Sequence, residues 1–353
     1  MKNVIVFITI LCVLRENVLA QEVLLPISLL CDDVRNSPFT EIRTIDNRID
    51  TQLLGYVHKG ISNKFTRVKY EGDLVDTLGL FFKNPSPKSQ GGGKVLVLML
   101  NELFMHESET GPGKLKLSVR LFTESKPGRF MEFLAIDSIY RARGLDVTRN
   151  LLGTVDEELC KISKMASSHD FNIVDRKPDY SLDDLYHLDS LEKQHIPMFV
   201  TDRPVSGIYK DYAHFKMNDP DIKTEMVIDT TNPKKVKVYR IYKMKNRKIK
   251  FEDFTVYAVS DGQSVFKVVS SGDYFEIKKN GLGLYYDRKG SYSALKSDIP
   301  YYYPGGGAIG GAIAGGIIAL GAGGDDSRIS THVYRFFINH RRGNSVPSAI
   351  VGD

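Results

Sequence analysis

Apolar and polar positions follow different patterns in the two halves of the chain. Between residues 21 and 168, a short pattern after Asp73 and a longer one from Val147 to Met165 place apolar residues at the spacing of a helix face. Three strand-like runs lie between them, Lys94 to Phe104, Lys114 to Thr123 and Arg129 to Ile139, and glycine–proline turns separate them. This half is predicted to be an α+β lobe, in which an antiparallel sheet packs against two helices.

The second half, residues 207–353, has an almost wholly β pattern of short apolar or aromatic runs. Asp261-Gly262 and Asn280-Gly281 are typical of tight hairpins, so consecutive strands are expected to pair in a mainly antiparallel lobe, either a sandwich or a small barrel. Thr331 to Asn339 predicts one more strand of this lobe. Residues 169–206 are polar and rich in charge, which indicates a linker between the two lobes.

Residues 1–20 have the composition of a cleavable signal peptide. Lys2 is followed by the apolar run Val4 to Leu14, and Val18-Leu19-Ala20 offers small or medium residues at a cleavage site. The run is too short for a membrane-spanning helix, which needs roughly 20 residues. We therefore expect an extracytoplasmic protein, periplasmic, outer-membrane associated or secreted, that starts near Gln21.

Composition agrees with a folded chain but indicates no particular partner. Apolar residues make up 42% and charged residues 26%, with a net charge of +5. Removal of the signal peptide leaves two cysteines, Cys31 and Cys160. In an oxidising compartment they can form one disulfide, or they can remain two separate buried thiols.

A glycine-rich segment, residues 305–324, contains ten Gly, five Ala and five Ile or Leu. On a helix, small residues at every fourth position would form a ridge that another backbone can approach closely. The ridge residues are Gly307, Gly311, Gly315, Ala319 and Gly323. A membrane element, a glycine-rich loop and a buried element within the domain are all compatible with this composition.

A basic run from Lys234 to Lys250 contains nine cations and no acid, with Tyr239 and Tyr242 between them. The cations are Lys234, Lys235, Lys237, Arg240, Lys243, Lys245, Arg247, Lys248 and Lys250. Such a hairpin can bind anionic lipid head groups or other phosphorylated envelope components, or it can be a solvated edge whose lysines prevent aggregation. Nucleic acid is not an expected partner, because the protein is predicted to be exported.

Known catalytic and metal-binding patterns are missing from the sequence. The eight histidines do not have the spacing of a helical zinc pair, and there is no HExxH, CxxC or nucleophile-elbow motif. We therefore predict no catalytic residue, no metal ligand and no cofactor.

The run KVLVLMLNELF, followed by KLKLSVRLF, RFMEFLAIDSI and a closing helix, resembles the periplasmic auxiliary lipoproteins of ABC-type lipid transporters. The resemblance covers about residues 70–165, and the chain lacks their lipidated cysteine. The segment GIYKDYAHFKMNDP is similar to one in uncharacterised secreted bacterial envelope proteins. These resemblances imply an envelope location, and neither of them indicates which activity the protein has.

The function expected from these features is that of an exported, non-enzymatic cell-envelope protein. It would serve as a binding or assembly accessory and associate with a membrane through the glycine-rich segment. The alternative is an extracytoplasmic enzyme of hydrolase type, whose site is assembled from residues distant in sequence.

Overall fold

The computed structural model divides the chain into two compact units, Met1–Tyr180 and Ser181–Asp353. The division lies within residues 169–206, which the sequence predicts to be a linker. The structure describes residues 22–28, 31, 37–59, 64–83, 93–107, 112–171, 178–232, 235–242, 247–269, 272–289 and 333–351.

The described part of the first unit contains eight strands and two helices. The strands are β1 (Val23–Leu24), β2 (Phe39–Asp46), β3 (Gly55–Lys59), β4 (Lys64–Lys69), β5 (Lys94–His106), β6 (Gly113–Lys126), β7 (Arg129–Ala142) and β8 (Asp179–Tyr180). The helices are α1 (Leu74–Lys83) and α2 (Val147–Ser167). Asp73 caps α1 by accepting hydrogen bonds from the Val75 and Asp76 amides, and Asp146 caps α2.

The eight strands form one mixed sheet in the order β1–β4–β3–β5–β6–β7–β8, and β2 also pairs with β5. Strands β5, β6 and β7 form the expected antiparallel meander. However, β1 pairs with β4 in parallel, and both β2 and β3 pair with β5 in parallel. The sheet is therefore mixed, whereas the sequence predicts an antiparallel one. The local pattern does not specify these parallel pairs, because other elements separate their strands in the chain.

Strands β2 and β3 share one edge of the long strand β5. β2 ends beside Leu100, and β3 begins where Gly55 lies opposite Met105. Gly55 has a φ of +129°, and a Cβ at this position would lie 1.9 Å from the Met105 carbonyl oxygen. Only glycine combines this backbone angle with such a close approach.

The main core of the first unit lies between the two helices and one face of the sheet. It includes Leu78 and Phe81 of α1, Val155 and Leu159 of α2, and alternate residues of β5 and β6. Alternation along a strand places every second side chain on the same face, which explains how these strands present a continuous apolar surface to both helices.

The opposite face of β5 and β6 is also buried and carries paired charges. Lys116 Nζ lies 3.3 Å from Glu102 Oε1, and these two side chains are only 4% and 8% exposed. Arg120 forms an ion pair with Glu132 on the same face. A buried charge without a partner costs several kcal/mol, so these charges can be buried only because each has an oppositely charged partner.

The described part of the second unit contains twelve strands and four helices. The helices are α3 (Leu182–Tyr186), α4 (Leu188–Gln194), α5 (Pro197–Val200) and α6 (Tyr212–Lys216). The strands are β9 (Gly207–Tyr209), β10 (Ile222–Lys223), β11 (Met226–Asp229), β12 (Lys237–Tyr242), β13 (Arg247–Lys250), β14 (Ala258–Ser260), β15 (Val265–Val268), β16 (Tyr274–Glu276), β17 (Lys278–Asn280), β18 (Gly283–Lys289), β19 (Val333–Ile338) and β20 (Ser345–Val351).

Three of these helices lie within the predicted linker. A capping box between Ser181 and Asp184 starts α3. Leu185 and Leu188 are buried, and Met198 and Phe199 of α5 belong to an apolar cluster with residues of β9, β14 and β18. These helices therefore contribute to the core of the second unit.

The strands of the second unit form three antiparallel sheets. Their orders are β10–β9–β14–β15–β16, β11–β12–β13 and β17–β18–β19–β20. Both predicted hairpins occur: Asp261 accepts hydrogen bonds from two amides in the turn before β15, and Asn280 accepts from two in the turn before β18. Positive φ falls on Gly262 in the first turn but on Gly283 in the second, one position after the turn residues.

Candidate functional site

Strands β12 and β13, which we call the basic hairpin, carry much of the predicted basic run. They pair in antiparallel register from Tyr239 opposite Lys250 to Tyr242 opposite Arg247, and the other edge of β12 pairs with β11. β12 reads KVYRIY: two cations stand among valine, isoleucine and two tyrosines, a composition that suits a partly buried strand.

The basic hairpin has a buried base and an exposed outer half. Val238 is only 1% exposed and packs with Met226 in an apolar cluster. Further along the hairpin, Tyr242 is 45% exposed and Ile249 is 51% exposed, and all four residues of β13 are exposed. Side-chain alternation and the pairing register place the following residues on one face of the outer half: Arg240, Tyr242, Arg247 and Ile249. This face thus combines cations with exposed apolar side chains.

Acidic neighbours neutralise only part of the charge of the basic hairpin. Lys250 forms an ion pair with Glu252, and this hydrogen bond raises the pKa of Lys250. Asp229 lies nearby on β11; hydrogen bonds from Thr231 lower its pKa, and the positive charges of Lys237 and Lys248 lower it further. The two strands themselves contain five cations and no acid, so the outer half is positively charged.

Six of the nine predicted cations lie among the described residues: Lys235, Lys237, Arg240, Arg247, Lys248 and Lys250. The other three, Lys234, Lys243 and Lys245, lie outside them. So do the predicted signal peptide, residues 1–20, and the glycine-rich segment 305–324 with its ridge. Within the described residues, no helix has both the length and the apolar character needed to cross a membrane.

A cluster that the sequence did not predict lies at the start of α6. Asp211 Oδ1 accepts a hydrogen bond from the His214 amide at 3.0 Å and lies 2.9 Å from the ring Nδ1. Asp221 Oδ1 lies 3.4 Å from the same Nδ1. The hydrogen bond to Asp211 is the largest cause that raises the pKa of His214. The only sequence signal was an Asp-x-x-His spacing, which a capped helix start explains equally well.

One ligand atom from each of these three residues lies within 4.8 Å of the others, a spacing compatible with binding a cation. However, Asp211 is occupied as the helix cap, and Asp221 Oδ2 accepts a hydrogen bond from the Lys210 amide at 2.8 Å. The cluster is therefore accounted for by the local fold of the turn.

A polar pocket of about 320 Å³ lies where β2 and β4 end and α1 begins. Its buried Arg48 donates to both carboxylate oxygens of Asp46, at 2.9 Å and 2.7 Å, and to the Thr51 carbonyl at 2.8 Å. The second acid of the pocket, Asp73, is the cap of α1. Both acids thus have structural roles, and this arrangement does not favour general acid–base chemistry.

The two cysteines of the predicted mature chain lie next to each other in the first unit. Both are partly buried against its main core, and both are thiols in this structure. Burial and a hydrogen bond with Cys31 raise the pKa of Cys160 to about 12. The backbone N–H of Ser28 donates to Asp156 Oδ1 at 3.1 Å, one helical turn before Cys160. The amino-terminal segment is therefore held along α2 at the position of the cysteine pair.

Comparisons with known proteins give no assignment. No family model matches the chain, and no curated protein matches it. Similar solved structures include a Xanthomonas campestris protein of family DUF330, at 8% identity and a TM-score of 0.30, covering 42% of this chain and 93% of that one. Another, an uncharacterised protein, has 7% identity and a TM-score of 0.26, covering 41% and 97%. Neither comparison names a transport lipoprotein, so the resemblance to that class stays a prediction from the sequence.

Proposed function

We propose that this protein is an exported, non-enzymatic cell-envelope accessory that docks on an anionic membrane surface through the basic hairpin. The observation that carries the proposal is the outer half of the hairpin, where Tyr242 and Ile249 are exposed beside several cations.

Both kinds of side chain suit the surface of a bilayer. Each Lys or Arg close to an anionic leaflet contributes about 1 kcal/mol of attraction. Tyrosine is favoured at the boundary between lipid and water, and transfer of the isoleucine side chain out of water lowers the free energy. A hairpin that only prevents aggregation needs the lysines but gains nothing from exposing Ile249 and Tyr242 to solvent.

Two features of the sequence support the same function. The predicted signal peptide, residues 1–20, would deliver the protein to a compartment bounded by lipid. The glycine-rich segment 305–324 offers a second contact with the membrane, since its composition suits close packing of helices in lipid.

The direct test is sedimentation of the protein with vesicles. Binding is expected to vesicles of phosphatidylcholine with phosphatidylglycerol and to weaken at high salt, because screening shortens the reach of exposed charges. The double variant Arg240→Gln/Arg247→Gln should bind about 30-fold more weakly, as the two cations on the face of Tyr242 and Ile249 are lost.

A matched control is the variant Lys278→Gln/Lys279→Gln, which removes two adjacent exposed lysines from β17. It should bind as the unchanged protein does. Equal weakening by the two variants, or equal binding to vesicles of phosphatidylcholine alone, would overturn the assignment to the basic hairpin.

The glycine-rich segment and a soluble ligand are each tested by one further measurement. A variant that lacks residues 305–324 should retain salt-sensitive binding to anionic vesicles; complete loss would transfer the membrane contact from the hairpin to that segment. Inorganic phosphate at matched ionic strength should not compete with the vesicles. Selective competition by phosphate would indicate a soluble phosphorylated ligand instead of a lipid surface.

A further inference from the structure

We infer that Cys31 and Cys160 form a disulfide bond in the exported protein, fastening the amino-terminal segment to α2. The inference rests on proposed export only as the source of an oxidising compartment. It is independent of membrane docking.

Contacts that precede Cys31 hold the amino-terminal segment in place. At its start, Val23 and Leu24 pair with β4, and Leu25 is buried. Further along, the Ser28 amide donates to both oxygens of Asp156, at 3.1 Å and 3.2 Å.

Cys160 lies on α2 close to the hydrogen bonds between Ser28 and Asp156. Asp156 and Cys160 are four residues apart and therefore lie on the same face of the helix, one turn from each other. Cys31 follows the anchored Ser28 by three residues, and its thiol is in hydrogen-bonding contact with Cys160. Both side chains pack against the same apolar core, so neither needs to leave the interior for the sulfur atoms to meet.

Bond formation is a two-electron oxidation by disulfide exchange. The Cys31 thiolate attacks a disulfide oxidant, such as oxidised glutathione, forming a mixed disulfide and releasing one thiolate. The Cys160 thiolate then attacks the Cys31 sulfur and releases the second. The two cysteines lose two protons and two electrons, and the oxidant is reduced to two thiols.

The environment of Cys160 affects how readily the folded, reduced protein is oxidised. Burial raises the pKa of this thiol to about 12, so almost none of it is a thiolate at neutral pH in the folded, reduced protein. Only the thiolate attacks a disulfide, so burial of this thiol slows its part in the exchange. Oxidation of the protein already folded in the reduced state should be slow.

The test is refolding of the full chain from denaturant in a buffer of reduced and oxidised glutathione, followed by acid quenching and alkylation under denaturing conditions. Cys12 serves as an internal reference, since it should be alkylated in every sample. The expected product carries one alkyl group, and peptide mapping links Cys31 to Cys160. Three alkyl groups would overturn the inference. So would a disulfide that joins Cys31 or Cys160 to Cys12 or to glutathione.

A second measurement does not depend on alkylation. The closed loop is long, so reduction should lower the melting temperature of the unchanged protein by about 10 °C. Cys31→Ser and Cys160→Ser should not respond to the reductant, whereas Cys12→Ser should respond as the unchanged protein does. A melting temperature of the unchanged protein that is insensitive to reductant would contradict the bond even if a variant failed to fold.

Discussion

The carboxylate of Glu192 accepts two hydrogen bonds from the guanidinium of Arg341, at 2.9 Å from Nε and 2.7 Å from Nη2. Glu192 lies on α4, and Arg341 lies in the turn between β19 and β20. The same carboxylate oxygen is 2.8 Å from His340 Nε2. This contact joins a helix of the predicted linker to the last hairpin of the second unit.

Replacing Glu192 should destabilise the second unit. Glu192→Ala removes the acceptor shared by the buried ring of His340 and the half-buried guanidinium of Arg341. We expect a loss of about 1 to 2 kcal/mol, reduced from the value for a fully buried charged hydrogen bond because Glu192 and Arg341 are partly exposed. Urea denaturation measures the change. Glu276→Ala, at an exposed position on β16, is the control; if it had an equal effect, the contact would have no special role.

The buried ion pair between Lys116 of β6 and Glu102 of β5 gives a second prediction. Lys116→Met leaves Glu102 buried without its partner, and the free energy of unfolding should fall by about 3 to 5 kcal/mol. The double variant Lys116→Met/Glu102→Leu removes both charges and should recover most of that loss. Denaturant unfolding measures the stability of both variants. If the double variant is no more stable than Lys116→Met, the unpaired charge of Glu102 is not the main cause of the loss.

Two glycines should respond to alanine in opposite directions. Gly55→Ala places a Cβ against the Met105 backbone at a positive φ, and we expect a loss of at least about 2 kcal/mol. Gly153 lies on the exposed side of α2 with nothing within 4 Å of its Cβ position. Gly153→Ala should stabilise the protein by up to about 1 kcal/mol. Thermal denaturation of the two variants distinguishes close backbone packing from a general effect of losing glycine.

The contact between His214 and Asp211 predicts a dependence on pH. The hydrogen bond to Asp211 raises the pKa of His214 above its ordinary value of 6.5. Its contribution to stability is therefore fully present below about pH 6.5 and is lost as the pH rises through the folded-state pKa. Asp211→Asn keeps a side-chain cap for α6 and should lower the pKa of His214, measured by NMR titration of the ring.

The control for this titration is Asp202→Asn, which changes an exposed aspartate in the same unit. It should leave the titration curve of His214 unchanged. A curve that is insensitive to Asp211→Asn would mean that Asp211 does not set the charge of this histidine.

Several elements could be predicted because their signals are local. The cap at Asp73, the apolar stripe of α2 and the strands of the β5–β7 meander each depend on residues within a few positions. Asp261 and Asn280 likewise mark hairpins through their own side-chain hydrogen bonds. Because export leaves only two cysteines, the sequence allows a bond between Cys31 and Cys160. No pattern in the sequence predicts the distance between them.

The remaining features depend on residues far apart in the chain. β2 and β3 pair in parallel with β5 across connections that contain β4 and α1, and the periodicity of a single strand does not determine such long-range pairing. The charged residues 182–200 have the composition of a linker, yet Leu185, Met198 and Phe199 find a core only in the folded second unit. The sequence shows the basic run only as a high density of positive charge. The exposure of Tyr242 and Ile249 beside it results from where the core ends, a property of tertiary packing.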